Sequence, residues 1–146
     1  MQRSLITTLL VILAFPIMAK AERSQDFGEF VVHYNALSTR FLPPQVASKY
    51  GIKRSPREGL LNIAVLRKVM GSGVEPVVSR VEGTARNLAG QEYQLSMREI
   101  REGTAIYYID TFRVNNEETL TFDLEVTPKG PGETYNVRFR QQFFVD

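Results

Sequence analysis

Hydrophobic and polar residues alternate over most of the chain. From position 119 it reads Thr-Leu-Thr-Phe-Asp-Leu-Glu-Val, with Leu120, Phe122, Leu124 and Val126 on one side and Thr121, Asp123 and Glu125 on the other. Successive side chains of a strand point to opposite faces, so this is a strand with one wet side. Tyr135, Val137, Phe139 and Phe143, opposed to Asn136, Arg138, Arg140 and Gln142, repeat the pattern near the end. The same reading predicts further strands at 27–36, 60–69, 76–85, 91–100 and 104–112. Turn-forming residues separate them: Gly71-Ser72-Gly73, Asn87 to Gly90, Glu102-Gly103, Asn115-Asn116 and Pro128 to Gly132. Residues 104–109 carry large apolar groups on both faces, as a central strand does. About seven antiparallel strands predict an all-β chain, an immunoglobulin-like β-sandwich without that fold's Cys and Trp landmarks.

One stretch departs from the alternation. Between Leu42 and Gly51 two prolines mark a helix start and the glycine a stop, predicting a short helix in the first crossover. Val46 and Tyr50 then share one side of it. Such a crossover is expected to close one end of the sandwich, with Tyr50 and Ile52 as plugs.

The first 21 residues read differently. A basic start at Arg3, an apolar run from Leu5 to Met18 and the small residues of Ala19-Lys20-Ala21 form the pattern of a secretory signal peptide cleaved after Ala21. The apolar run is too short for a membrane span, which needs about 20 residues. The expectation is a single domain over residues 22–146, exported to the periplasm and without a membrane span after cleavage. Its faces also argue against an outer-membrane barrel, because Asp123, Glu125, Arg138 and Arg140 would meet lipid or the apolar side chains would fill the lumen.

Export changes the charge. The chain carries 18 Lys and Arg against 16 Asp and Glu. Removing Arg3 and Lys20 leaves the domain formally neutral, which argues against a nucleic-acid binder. There is no Cys, so disulfides, thiolate catalysis and thiolate metal sites are excluded. The remaining charge is uneven: Arg40 to Lys68 holds seven bases and one acid, and Asp110 to Glu133 six acids and two bases.

Several stretches carry a family resemblance. They are Val32-His33-Tyr34-Asn35-Ala36-Leu37, Phe41-Leu42-Pro43-Pro44-Gln45-Val46-Ala47 and Tyr50-Gly51-Ile52-Lys53-Arg54-Ser55. Arg98 to Glu102, Tyr107-Tyr108-Ile109 and the ending Gln141-Gln142-Phe143-Phe144-Val145-Asp146 add to them. Together they are similar to the exported bacterial family called domain of unknown function 4426. The resemblance implies a small periplasmic protein and carries over no catalytic or ligand residue.

Candidate chemistry is sparse. His33 is the only histidine, so any imidazole base must be this one. Its strand position, facing away from Phe30, Val32 and Tyr34, predicts a structural, hydrogen-bonded histidine. The carboxylates show no catalytic or metal spacing; Glu99 and Glu102 read as local surface partners of Arg98 and Arg101, and Glu117-Glu118 as solvated. No phosphate loop, calcium loop or nucleophile elbow is present, so no cofactor, metal or enzyme activity is expected.

The loop from Lys49 to Arg57 stands out. Lys49, Lys53, Arg54 and Arg57 surround Tyr50 and Gly51 there, and such cations suit carboxylates and phosphates. The leading reading is a periplasmic binding or interaction module whose contact residues are Tyr50, Lys53, Arg54 and Arg57. Its partner would be an acidic envelope protein, a glycan or a lipid headgroup. Two alternatives stand beside it: a small enzyme using His33, and a carrier enclosing a small apolar ligand.

Overall fold

The computed structural model describes residues 23–146; the predicted signal peptide lies outside them. Sheet A contains β1 (Arg23–Asp26), β2 (Phe30–Ser38), β3 (Glu58–Lys68), β4 (Val74–Pro76), β7 (Arg98–Glu102) and β8 (Ala105–Arg113). Its order is β1-β2-β3-β8-β7, with β4 paired to the far end of β3. Sheet B contains β5 (Ser79–Asn87), β6 (Glu92–Gln94), β9 (Glu118–Pro128) and β10 (Tyr135–Phe143), in the order β10-β9-β5-β6. All pairings are antiparallel. The β-sandwich expected from the alternation is therefore the fold, and β8 lies inside sheet A as the apolar character of both its faces implies.

Three local features refine the predicted strands. The first begins three residues late, because Gly28 adopts φ +89° and its N–H donates to the Asp26 carboxylate at 2.8 Å, turning β1 back onto β2. The segment predicted at 91–100 serves both sheets. Its start pairs with β5 as β6, and its end pairs with β8 as β7. Between them Leu95 N–H donates to Gly83 at 2.9 Å, and Ser96 N–H donates to the Asp110 carboxylate at 2.8 Å, so the chain crosses without losing its partners. Pro76 ends β4, and Val77 N–H donates to Val65 at 2.9 Å before the chain passes into sheet B.

The inner faces meet in a core of interlocking rings. Phe122 has no exposed surface and lies 5.2 Å from Phe112, 4.8 Å from Phe139 and 6.4 Å from Phe143, centroid to centroid. Phe112 lies over Gly59, where a Cβ would come within 2.3 Å of its ring, so the smallest residue is required opposite it. One polar group also ties the sheets together: the buried Gln141 side chain on β10 donates to Ala36 O on β2 at 2.6 Å.

The helix forms where expected, as α1 (Pro44–Lys49), and follows a single 3₁₀ turn at Thr39–Phe41. Gly51 at φ +66° stops it, and Ile52 N–H donates to Ala47 O at 2.8 Å, folding the chain back beneath the helix. Its location differs from the expectation. Rather than closing an end of the sandwich, α1 and Ile52 lie against the outer face of sheet A, because that face is itself apolar and requires cover.

Candidate functional site

Strand β3 explains this second apolar face. Leu61, Ile63 and Val65 belong to the main core, so Leu60, Asn62, Ala64 and Leu66 point outward by strict alternation. Leu37 on β2, Tyr107 and Ile109 on β8 and Ile100 on β7 share this outer side. With Leu42, Ala47, Tyr50 and Ile52 they form a second hydrophobic cluster, distinct from the core between the sheets.

The cover is incomplete. A hollow of about 240 Å³ remains between α1 and the sheet, walled by Leu42, Val46, Leu60, Ile100 and Ile109, with Asn62 also facing it. A second hollow of about 270 Å³ lies further along the same face, bordered by His33, Ala64, Leu66, Pro76 and Ile106. Tyr107 borders both, so the two are neighbours on one groove.

A polar latch holds the helix over the first hollow. Tyr50 donates its phenol to Glu102 Oε2 at 2.8 Å, and Lys49 Nζ donates to Glu102 Oε1 at 3.1 Å. Arg98 Nη2 donates to Tyr50 O at 2.7 Å. The Tyr50 and Lys49 donors hold the Glu102 carboxyl below the usual carboxylate range. The same carboxylate raises the Lys49 ammonium and the Tyr50 phenol above their ordinary values, with desolvation adding to the rise at Tyr50. All three groups therefore keep their bonding forms at neutral pH. Glu102 and Arg98 are thus partners of α1, not of their own strand; only Arg101 and Glu99 make the local pair, at 3.1 Å.

The basic part of the loop is pinned at Ser55. Thr39, fully buried, donates its hydroxyl to Ser55 O at 3.1 Å and accepts Ser55 N–H at 2.9 Å. Arg57 N–H donates to Ser55 Oγ at 3.1 Å, and Val114 N–H donates to Arg57 O at 3.0 Å. Arg54 folds back to donate to Arg40 O at 3.1 Å. Among the described residues no carboxylate pairs with Lys53, Arg54 or Arg57, and all three are exposed. Lys53 borders a separate polar hollow of about 460 Å³ with Glu58, Arg98 and Asp110.

The five residues singled out from the sequence thus separate into two sets. Tyr50 and His33 lie at different hollows of the apolar groove, while Lys53, Arg54 and Arg57 form a cationic rim outside it. Tyr107 is the polar side chain that shares the His33 hollow. Among the described residues, no three of His, Cys, Asp and Glu come together as a metal site would require. Sequence reasoning missed Asn62 and Glu102. The signal for Asn62 was present: it is the lone polar residue in the run Leu60-Leu61-Asn62-Ile63-Ala64-Val65-Leu66. Glu117-Glu118 also divides, since Glu117 is exposed at φ +59° whereas Glu118 is partly buried and accepts the Asn115 amide at 3.1 Å.

The architecture is that of a small two-sheet β-sandwich with a helix-covered groove on one outer face. By sequence the chain belongs to the family described as domain of unknown function DUF4426, which matches residues 24–146. A family member of known crystal structure from Pseudomonas aeruginosa is 36% identical, with a TM-score of 0.73 over 86% of this chain and 96% of that one. FetP from uropathogenic Escherichia coli, recombinantly expressed in the periplasm, shares the fold at 10% identity, with a TM-score of 0.60 over 85% of this chain and 94% of its own. A copper-bound FetP variant superposes with a TM-score of 0.59, also at 10% identity, over 84% of this chain and 95% of that one. Comparison with curated proteins gave no match.

Proposed function

We propose that the protein is an exported envelope module that binds a partner and performs no catalysis, with the Lys49 to Arg57 crossover as the surface that meets an anionic group. One observation carries this reading: Lys53, Arg54 and Arg57 stand exposed, with no acidic partner among the described residues, on a loop anchored through the buried Thr39. A pre-ordered cationic loop loses little conformational freedom on binding, which favours recognition of a carboxylate or phosphate. Export is supported by the N-terminal sequence pattern. No helix among the described residues is long and apolar enough to cross a membrane.

A copper function taken over from FetP draws little support from this chain, which has one histidine and no cysteine. The test is in-envelope cross-linking from the loop, repeated with Lys53→Glu, Arg54→Glu and Arg57→Glu combined. Capture of an anionic partner is expected to disappear while the melting temperature stays nearly unchanged. Capture that persists in the charge-reversed protein places the contact elsewhere.

A further inference from the structure

The groove beneath α1 raises a question that the cationic loop does not answer. Asn62 occupies the middle of β3, a strand interior in which asparagine is disfavoured, and its neighbours on both sides are Leu, Ile and Val. Its carboxamide oxygen is shielded, yet no group among the described residues donates to it. Its cross-strand neighbour Asn35 on β2 is exposed and forms no bond with it. A shielded amide without a protein partner costs about 1–3 kcal/mol, which a leucine here would avoid. Departures of this kind from local stability rules gather at functional positions. Rotation about the terminal torsion exchanges the amide's oxygen and nitrogen, so either can be turned towards the hollow.

The hollow around it has the composition of a ligand site. Its walls are mainly aliphatic, supplied by Leu42, Val46, Leu60, Ile100 and Ile109; Tyr50 and Glu102 at its border are bonded to each other, which leaves the Asn62 amide oxygen as the unspent hydrogen-bonding group. The hollow is open to solvent on one side and holds about 240 Å³. Few polar groups in an apolar concavity are the usual arrangement for orienting a small molecule. The hollows on sheet B are more polar, each lined by several charged residues such as Arg86, Asp123, Glu125 and Arg138, whereas Glu102 is the one charged residue at this hollow.

We propose that this hollow binds a linear aliphatic molecule ending in a hydroxyl or amide group. The chain lies against Leu42, Leu60 and Ile109, and the head bonds to Asn62. Tyr50 and Glu102, bonded to each other, line the hollow and hold the helix over it, and the neighbouring hollow beside His33 gives room for a longer molecule. The carrier reading of the sequence thus applies to the outer face of sheet A, not to the space between the sheets, where the core rings fill the volume.

The test is proton–nitrogen correlation NMR of the protein, titrated with n-octanol and, separately, with n-octanamide. Saturable shifts are expected at the amides of Leu60 to Ala64, at Tyr107 to Ile109 and in α1. Asn62→Leu should weaken n-octanol binding at least about tenfold, the size of one lost hydrogen bond, while melting at the same or a higher temperature. Val46→Trp fills the hollow from a half-exposed helix position and should abolish the saturable shifts in a folded protein. Reversal of Lys53, Arg54 and Arg57 should leave n-octanol binding unchanged, which separates this site from the anionic one. Absence of saturable shifts up to the solubility limit, shifts confined to another face, or undiminished binding by Asn62→Leu or Val46→Trp would each overturn the proposal.

Discussion

The outer faces of the two sheets follow opposite rules. On sheet B every outward position of β10 from Asn136 to Gln142 is exposed and polar, and β9 presents Asp123 and Glu125 beside it. Asp123 and Arg138 approach at 3.7 Å, a solvated cross-strand pair. On sheet A the outward positions of β3 and β8 include Leu60, Ala64, Leu66, Tyr107 and Ile109, with Asn62 the polar exception among them. A sheet with one wet side is complete when its partner sheet packs against it. A sheet apolar on both sides needs a second cover, and the crossover provides only part of one. The uncovered part is where a ligand can stabilise the protein by finishing what packing left undone.

Substitutions on these faces can break the comparison, and the inner face sets its upper limit. Phe122→Ala should lose about 3–5 kcal/mol in urea unfolding, since the ring has no exposed surface and three aromatic neighbours. If the outer face of sheet A is a real second core, Ile109→Ala should cost about 2 kcal/mol, the lower end for a buried aliphatic truncation. A loss below about 0.5 kcal/mol would mean that this face behaves like the wet face of sheet B.

The latch offers a test through pH. A carboxyl whose folded value is depressed contributes stability above its unfolded value, and loses it as pH falls through the folded one. Glu102 is such a group, so the melting-temperature gap between wild type and Glu102→Gln should be full well above the ordinary carboxylate value of about 4.3 and shrink as the pH falls below that value and through the lower folded one. Asp26 is depressed in the same direction by Lys68 and remains in both proteins, so the gap isolates the latch. A gap that is constant across acid pH would assign the latch to shape and not to charge. The smallest effect belongs to sheet B: Arg138→Ala should change stability by less than about 0.5 kcal/mol, because the Asp123 pair is exposed and long. A larger loss in thermal unfolding would show that this face contributes more than solvation.

Much of the fold was legible because alternation is a local property. The run at β9 and the ending at β10 state their inward and outward faces residue by residue, and the proline start and glycine stop of α1 lie within a few positions of one another. The division of segment 91–100 was not legible, because both halves look extended and only the partners of Leu95 and Ser96 decide which sheet each joins. The candidate site was legible in part. Lys53, Arg54 and Arg57 stand out as a charge cluster, but the lack of acidic partners could be seen only once the charges of distant strands were placed. Glu102 looked like a partner of Arg98 and Arg101 because sequence proximity was the sole guide, and its bond to Tyr50 closes across 52 positions.

By itself the sequence determined an antiparallel β-sandwich with one short helix, a cysteine-free chain and the cationic character of the first crossover. These follow from period, turn chemistry and composition, which act between near neighbours. Only the tertiary structure decided that the crossover lies on the outer face of sheet A, that His33 and Tyr50 border one groove, and that Asn62 stands in it with its amide oxygen unspent. Those are outcomes of long-range burial: the second apolar face of β3 and β8 exists only after the strands pair, and it then draws the helix towards itself.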